Sequence, residues 1–358
     1  MASRWAGRSE AFDARPIGAA YTWAGSLLVS LLMWYELRPL NVALAWVMLG
    51  FVLFEWGIVR QSVSWRMQSY VAFVSGFARV FFVNLNARGW DLVASTLPLA
   101  LVFYYAYWRL GIATGDEIPL DRRLKSRTLL SYFGTVTLLA MLRFSLDPDW
   151  VAAGWAAVVV ILLGTAWRSQ REIFLHHGYL AGIAIMFRIV FHNFSLGSHE
   201  SSGWYDSRAV QVGSAAALLF LALPFAFPIR KRLSEQAGRS GAARTLARAL
   251  RCPEQAFFFA PLLLVTVLSA REVSQGRVTV AWGLEAVLVF MFALWVGERS
   301  FRLTGLGLLL LCVGKIVLLD VWRQEKIDRF VTFIILGASL MLVSFLYTRY
   351  SETIRRYL

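Results

Sequence analysis

Two cysteines in 358 residues leave no basis for a disulfide scaffold. With Cys252 in a polar loop and Cys312 in the middle of an apolar run, they cannot assemble a thiolate metal site either. The chain has only 4 histidines. His176 and His177 are neighbours, so on a helix their side chains point about 100° apart and cannot chelate one ion. No P-loop, nucleotide-binding glycine loop, nucleophile elbow or H-E-x-x-H helix is present. Charged residues amount to only 16%, too few for the solvated surface that a soluble protein of this length needs. No catalytic residue, metal or cofactor is therefore expected, and a non-enzyme is the favoured reading.

What is present is apolar surface. Hydrophobic residues make up 58% of the chain and aromatic residues 15%, more than one soluble core can hide, which predicts an all-α polytopic membrane protein. A formal charge of +14 would point to nucleic acid in a soluble protein. Here the cations fall mostly in alternate loops, as the positive-inside rule requires, and no nucleic-acid partner is expected. The first apolar run follows Arg4, Arg8 and Arg15 with no small-x-small cleavage site after it, and reads as a retained signal anchor.

Twelve apolar runs can be marked: 19–37, 42–59, 66–85, 91–108, 128–146, 150–167, 172–194, 209–228, 255–270, 278–296, 303–321 and 328–347. They group into three sets of four. This gives an N-terminus over 1–18, membrane repeats over 19–108, 128–228 and 255–347, connecting loops over 109–127 and 229–254, and a C-terminus over 348–358. Lys and Arg concentrate on the segments of one parity, so both termini and both long loops are expected to be cytoplasmic. An even number of crossings per set makes the repeats parallel.

The repeat rests on polar residues at fixed offsets. Sliding Trp155 and Trp282 onto Trp46 carries Arg188 and Lys315 onto Arg79, and carries Asn193 and Asp320 onto Asn84, without a gap. Arg302 falls on Arg66, and the middle copy departs there with Leu175. The first runs also superpose, Gly25 on Gly134 on Pro261, residues that let a helix bend or pack closely.

The third helix of each set is expected to run outward, which puts Arg79, Arg188 and Lys315 in the outer half of the membrane. Cations there either snorkel to headgroups or face a shared cavity and bind an anion such as a phosphate or carboxylate, with Asn84 and Asn193 beside them. Glu285, level with Lys315 on the preceding helix, is expected to form a structural ion pair with it. Its counterparts Leu49 and Val158 leave Arg79 and Arg188 without a carboxylate. Glu55 is expected to pair with Arg60 or stay protonated, and His192 to be a hydrogen-bonded helix-end histidine. Gly178 and Gly182 form a G-x-x-x-G helix contact. The basic loop carries Arg230, Lys231, Arg232, Arg244, Arg248 and Arg251, which set topology or lie on anionic lipid.

The runs W-G-L-E-A from Trp282, R-L-T-G-L-G-L-L-L-L from Arg302, K-I-V-L-L-D-V from Lys315 and R-F-V-T-F-I-I-L-G from Arg329 resemble the C-terminal signature of a family of bacterial predicted multi-pass membrane proteins of unknown function. In those proteins an Arg-x-x-Gly-Leu helix, a Lys-(x)4-Asp helix end and an Arg-x-x-x-Phe-x-x-Leu-Gly helix recur in that order. Many members have more helices than the twelve counted here. The resemblance implies an inner-membrane location and no established activity, and it contributes no catalytic residue.

Two classes of function follow. One is a carrier or flippase-like protein for an anionic lipid, a glycan intermediate or a small anion. The other is a non-catalytic structural or accessory subunit that packs against protein partners in a membrane complex. A membrane-embedded transferase is a third reading: Glu36 and Glu272, at equivalent outer helix ends, are similar to the outer-loop carboxylate of polyprenyl-phosphate-sugar glycosyltransferases. The large outer domain of those enzymes is missing.

Overall fold

The computed structural model describes residues 16–112, 119–195, 207–237, 252–273, 277–315, 318 and 326–349. Among the described residues every regular element is helical. The chain divides into two compact units, Met1–Leu196 with Leu221–Phe257, and Gly197–Phe220 with Phe258–Leu358.

The first unit begins with α1 (Pro16–Glu36), α2 (Pro39–Val59), α3 (Val63–Phe82) and α4 (Trp90–Ile112). Pro39 opens α2 at a position where its missing N–H costs nothing. α2 and α3 form a tight antiparallel hairpin because glycines line the contact. A Cβ on Gly76 would lie 2.5 Å from Val47 Cγ2, and one on Gly50 would lie 2.8 Å from the Phe73 ring. α1 rests only lightly on this hairpin, and Gly25, expected to let the helix bend or pack closely, has nothing within 4 Å of where its Cβ would be. After the short α5 (Pro119–Leu124), α6 (Ser126–Ser145) packs along α4, with Gly134 against the Tyr104 ring. α7 (Val151–Ser169) and α8 (Glu172–Arg188) form a second hairpin, and α8 ends in a π-turn over Ile189–Asn193. Gly178 packs closely, a Cβ there lying 2.5 Å from Leu163 Cδ1, while Gly182 makes ordinary contact with the Phe257 ring at 3.8 Å. The core holds Phe54, Phe73, Leu99 and Phe103, with Phe77 and Phe133 stacked at 4.1 Å.

The run expected over 209–228 lies in one apolar segment, Arg208–Glu235, long enough to cross a membrane, which breaks at Ala222 into α9 (Arg208–Leu221) and α10 (Leu223–Ala237). Pro224 has no N–H to continue α9, which accounts for the break. α10 packs on α7 within the first unit.

Next come α11 (Pro253–Glu272), α12 (Val278–Val296), α13 (Arg299–Lys315) and α14 (Lys326–Arg349). In the second unit α12 and α13 form a hairpin and α14 lies against α12. The core is Ala286, Phe290, Leu309, Cys312, Leu336 and Val343, joined by Phe258 stacked on Phe301 at 3.7 Å.

The three hairpins turn alike. Gln61 and Gln170 adopt positive φ of 52° and 56°, and Gly297 adopts 81°, each directly between the paired helices. For glutamine this left-handed geometry is uncommon and needs support from its surroundings. A tight reversal between long packed helices supplies it.

Among the described residues seven helices are long and apolar enough to cross a membrane. Their outer faces carry large apolar side chains in the open, Ile161 being 66% exposed and Trp295 84%, and α1 does the same with Leu28 at 66%. Hydrocarbon is the solvent that such a surface requires.

Candidate functional site

Arg79 and Arg188 close the far ends of their hairpins in the same way. Arg79 donates to the Pro39 carbonyl at 3.3 Å, 40 residues back, and Arg188 to the Pro148 carbonyl at 2.8 Å, again 40 residues back. The amides that follow repeat the pattern at a separation of 44. Asn84 donates to the Leu40 carbonyl at 2.8 Å and Asn193 to the Asp149 carbonyl at 3.1 Å. In both copies the guanidinium Nε and the amide Oδ1 are buried without a hydrogen-bond partner. His192 adds a contact to the Asp149 carboxylate at 3.0 Å, the helix-end role expected of it.

Arg79 has a further feature. Its guanidinium lies over the Trp34 ring at 4.1 Å and near Trp46 at 5.6 Å, two indoles stacked on each other. A cation on an indole face gains about 0.5–2 kcal/mol, and most of its N–H donors stay available to an acceptor. Trp34 and Trp46 also line one end of a cavity of about 290 Å³ between α1, α2 and α3, close to the lower bound of roughly 300 Å³ for small-molecule sites.

Lys315 and Glu285 do not form the expected pair among the described residues. Lys315 donates to Thr279 Oγ1 at 2.7 Å, and Glu285 Oε1 accepts from Thr266 Oγ1 at 2.7 Å. Equal depth was not sufficient: Glu285 is six residues beyond Thr279, which turns it about 120° around α12 and toward α11. Asp320, the third helix-end polar residue, lies outside the described residues.

One bond recurs in all three helix sets. Trp46 Nε1 donates to the Ser30 carbonyl at 3.0 Å, Trp155 to Leu139 at 2.8 Å and Trp282 to Thr266 at 3.0 Å, each 16 residues back.

Two polar clusters escaped the sequence reading. On α3, Gln68 accepts from Ser26 Oγ at 2.9 Å and donates to Thr22 Oγ1 at 3.0 Å. On α8, His177 contacts Thr135 Oγ1 at 2.8 Å and Ser131 Oγ at 3.4 Å. The offset that carries Trp46 to Trp155 carries Gln68, Thr22 and Ser26 onto His177, Ser131 and Thr135. Applying that offset to hydroxyl and amide residues would have exposed both clusters. In the third set those places hold Thr304, Phe258 and Leu262, and only the threonine keeps a hydroxyl.

The loop over 109–127 contains more than solvated charge. α5 brings Asp121 to 4% exposure beside Arg66 at 1%; the two form an ion pair, and Tyr70 donates to Asp121 Oδ1 at 2.5 Å. Glu55 pairs with Arg109 at 3.3 Å and not with Arg60, which lies over the Trp56 ring at 4.9 Å. Of the basic residues expected on a lipid surface, Arg230 pairs with the buried Glu254 at 3.3 Å, Arg232 has buried donors without a hydrogen-bond partner, and Lys231 is exposed. Arg244, Arg248 and Arg251 lie outside the described residues. Among the described residues no group of His, Cys, Asp and Glu could hold a metal.

Long apolar helices with large apolar side chains on their outer surfaces define a multi-pass membrane protein. The chain belongs to the family described as "Predicted membrane protein (DUF2339)", with the match covering residues 17–350. That span takes in every described helix but the first residue of α1. Neither a curated protein nor a solved structure matches it.

Proposed function

We propose that this is a carrier or flippase-like protein that binds an anionic group at the hairpin ends of a twelve-helix chain built from three parallel four-helix repeats, lying in a bacterial inner membrane with both termini cytoplasmic. The observation that carries the binding reading is the matched state of Arg79 and Arg188: each gives one hydrogen bond to a backbone carbonyl and keeps a buried Nε without a partner. A buried cationic donor left open is costly unless something completes it. A phosphate or carboxylate does so with charge-assisted bonds. The repeat reading is supported by the three equal Trp bonds and the three equal left-handed turns.

The test is exchange of a fluorescent phosphatidylglycerol between leaflets of reconstituted vesicles. Wild-type protein is expected to speed exchange, and Arg79→Gln with Arg188→Gln to reduce it at least about tenfold while insertion is retained. Equal exchange in the variant, or none in the wild type, overturns the carrier reading and leaves the accessory-subunit reading in its place. Orientation has its own test. Reporter fusions within 111–127 and within 197–207 should give opposite signals, and equal signals overturn the twelve-span topology.

A further inference from the structure

We infer that the groove between α1, α2 and α3 holds one hydrocarbon chain of a phosphate-headed membrane lipid, with Arg79 taking the phosphate. This rests on the anion-binding reading above and adds the class of ligand.

The groove has the shape of a chain. Trp23, Leu27, Leu31 and Trp34 line it and follow one face of α1 over eleven residues, about 16 Å of helix. At about 290 Å³ it is narrow for that length, suited to one chain and not to a pair. Its lining is largely apolar, and three of the four hydroxyl and amide side chains that reach it are already bonded, the fourth being Ser75. Ser26 and Gln68 bond to each other, and Ser30 donates to the Ser26 carbonyl. An alkyl chain entering the groove therefore strips no hydrogen bond from the wall. A sugar or a free ionic solute would find few acceptors or donors along it.

The ends of the groove differ. At one end Trp34 and Trp46 form a stacked pair with the Arg79 guanidinium over it; toward the other lies Trp23. A cation capping one end of an apolar slot is the complement of an amphiphile with a single anionic head. Phosphate suits this cation because a planar guanidinium offers paired donors to tetrahedral oxygens, and phosphate is the common anionic head in a bilayer. Access is lateral: α1 packs lightly on the hairpin, and its outer face exposes Leu28 and Leu32 to the surroundings from which a lipid would come.

The experiment measures binding to the purified full-length protein in non-ionic detergent with three probes: dodecyl phosphate, dodecanol and inorganic phosphate. Dodecyl phosphate is expected to bind at least about tenfold more tightly than inorganic phosphate, since burying about two methylenes already gives that gain, and at least about tenfold more tightly than dodecanol, which offers Arg79 no anionic oxygens. Arg79→Gln should bring dodecyl phosphate to the level of dodecanol. Filling the groove with Leu27→Trp, or from the opposite wall with Ala72→Phe, should bring it to the level of inorganic phosphate and leave inorganic phosphate itself unchanged. Leu27 is 61% exposed, so its variant is expected to fold even where the other does not. If dodecyl phosphate binds no better than inorganic phosphate, or both filled variants bind it as the wild type does, the groove assignment fails, and Arg79-dependent phosphate binding still stands by itself. If Arg79→Gln changes none of the three, the anion reading fails as well.

Discussion

Asp121→Leu is expected to destabilise the protein by about 3–5 kcal/mol, because it strands the Arg66 guanidinium in a place water does not reach. Arg66 is 1% exposed and Asp121 4%. Beyond Asp121, the guanidinium has only a 3.5 Å contact with the Gly57 carbonyl as its side-chain hydrogen bonding, and its second terminal nitrogen is already without a partner. The double variant Arg66→Leu with Asp121→Leu removes both charges and should recover most of the loss, since an apolar pair of similar volume is often as stable as a buried ion pair. The middle helix set carries the apolar solution at this place, with Leu175 1% exposed. Unfolding followed by tryptophan fluorescence across a denaturing-detergent titration measures the difference. Equal destabilisation in the single and double variants would show that the cost comes from lost volume and not from the stranded charge.

The second large effect is expected at Gly305. A Cβ there would lie 3.0 Å from the Phe290 backbone nitrogen and 3.1 Å from the Ala286 carbonyl oxygen, atoms that cannot rotate away. Gly305→Leu forces α12 and α13 apart and should cost about 3 kcal/mol. Two residues along the same helix, Gly307 has nothing within 4 Å of its Cβ position. Gly307→Ala meets no clash and restricts the unfolded chain, so it should be neutral or stabilise by up to about 1 kcal/mol. Opposite signs from two glycines so close in sequence are the diagnostic result, read by the same titration. Matching signs would mean that the α12–α13 approach is not what Gly305 permits.

The all-helical membrane class was legible because periodic polar punctuation and apolar length are properties of the sequence alone. Side-chain partners were much less so. Glu285 and Lys315 share a depth, but partnership also depends on azimuth, and the α11 face that captures Glu285 through Thr266 is fixed by packing no pattern encodes. Asp121 looked like one charge among several in a loop; its burial follows from the short helix α5, whose position depends on where α4 and α6 meet. The groove beside Arg79 is equally invisible in sequence, being the space left when α1 packs lightly on the α2–α3 hairpin.

The indole bonds described earlier carry a consequence for chain length. Each ties a tryptophan to a carbonyl 16 residues back across a helix turn. One residue inserted within either helix between the bonded partners would rotate the indole about 100° and shift it about 1.5 Å along the axis, breaking the contact outright. The helix stretches on either side of the connections at Leu37–Arg38 and Asp147–Pro148–Asp149 are thus locked in register with each other. The ion pair that joins the described flanks of the segment between α10 and α11, Arg230 with Glu254, is a contact between side chains and fixes no such residue count.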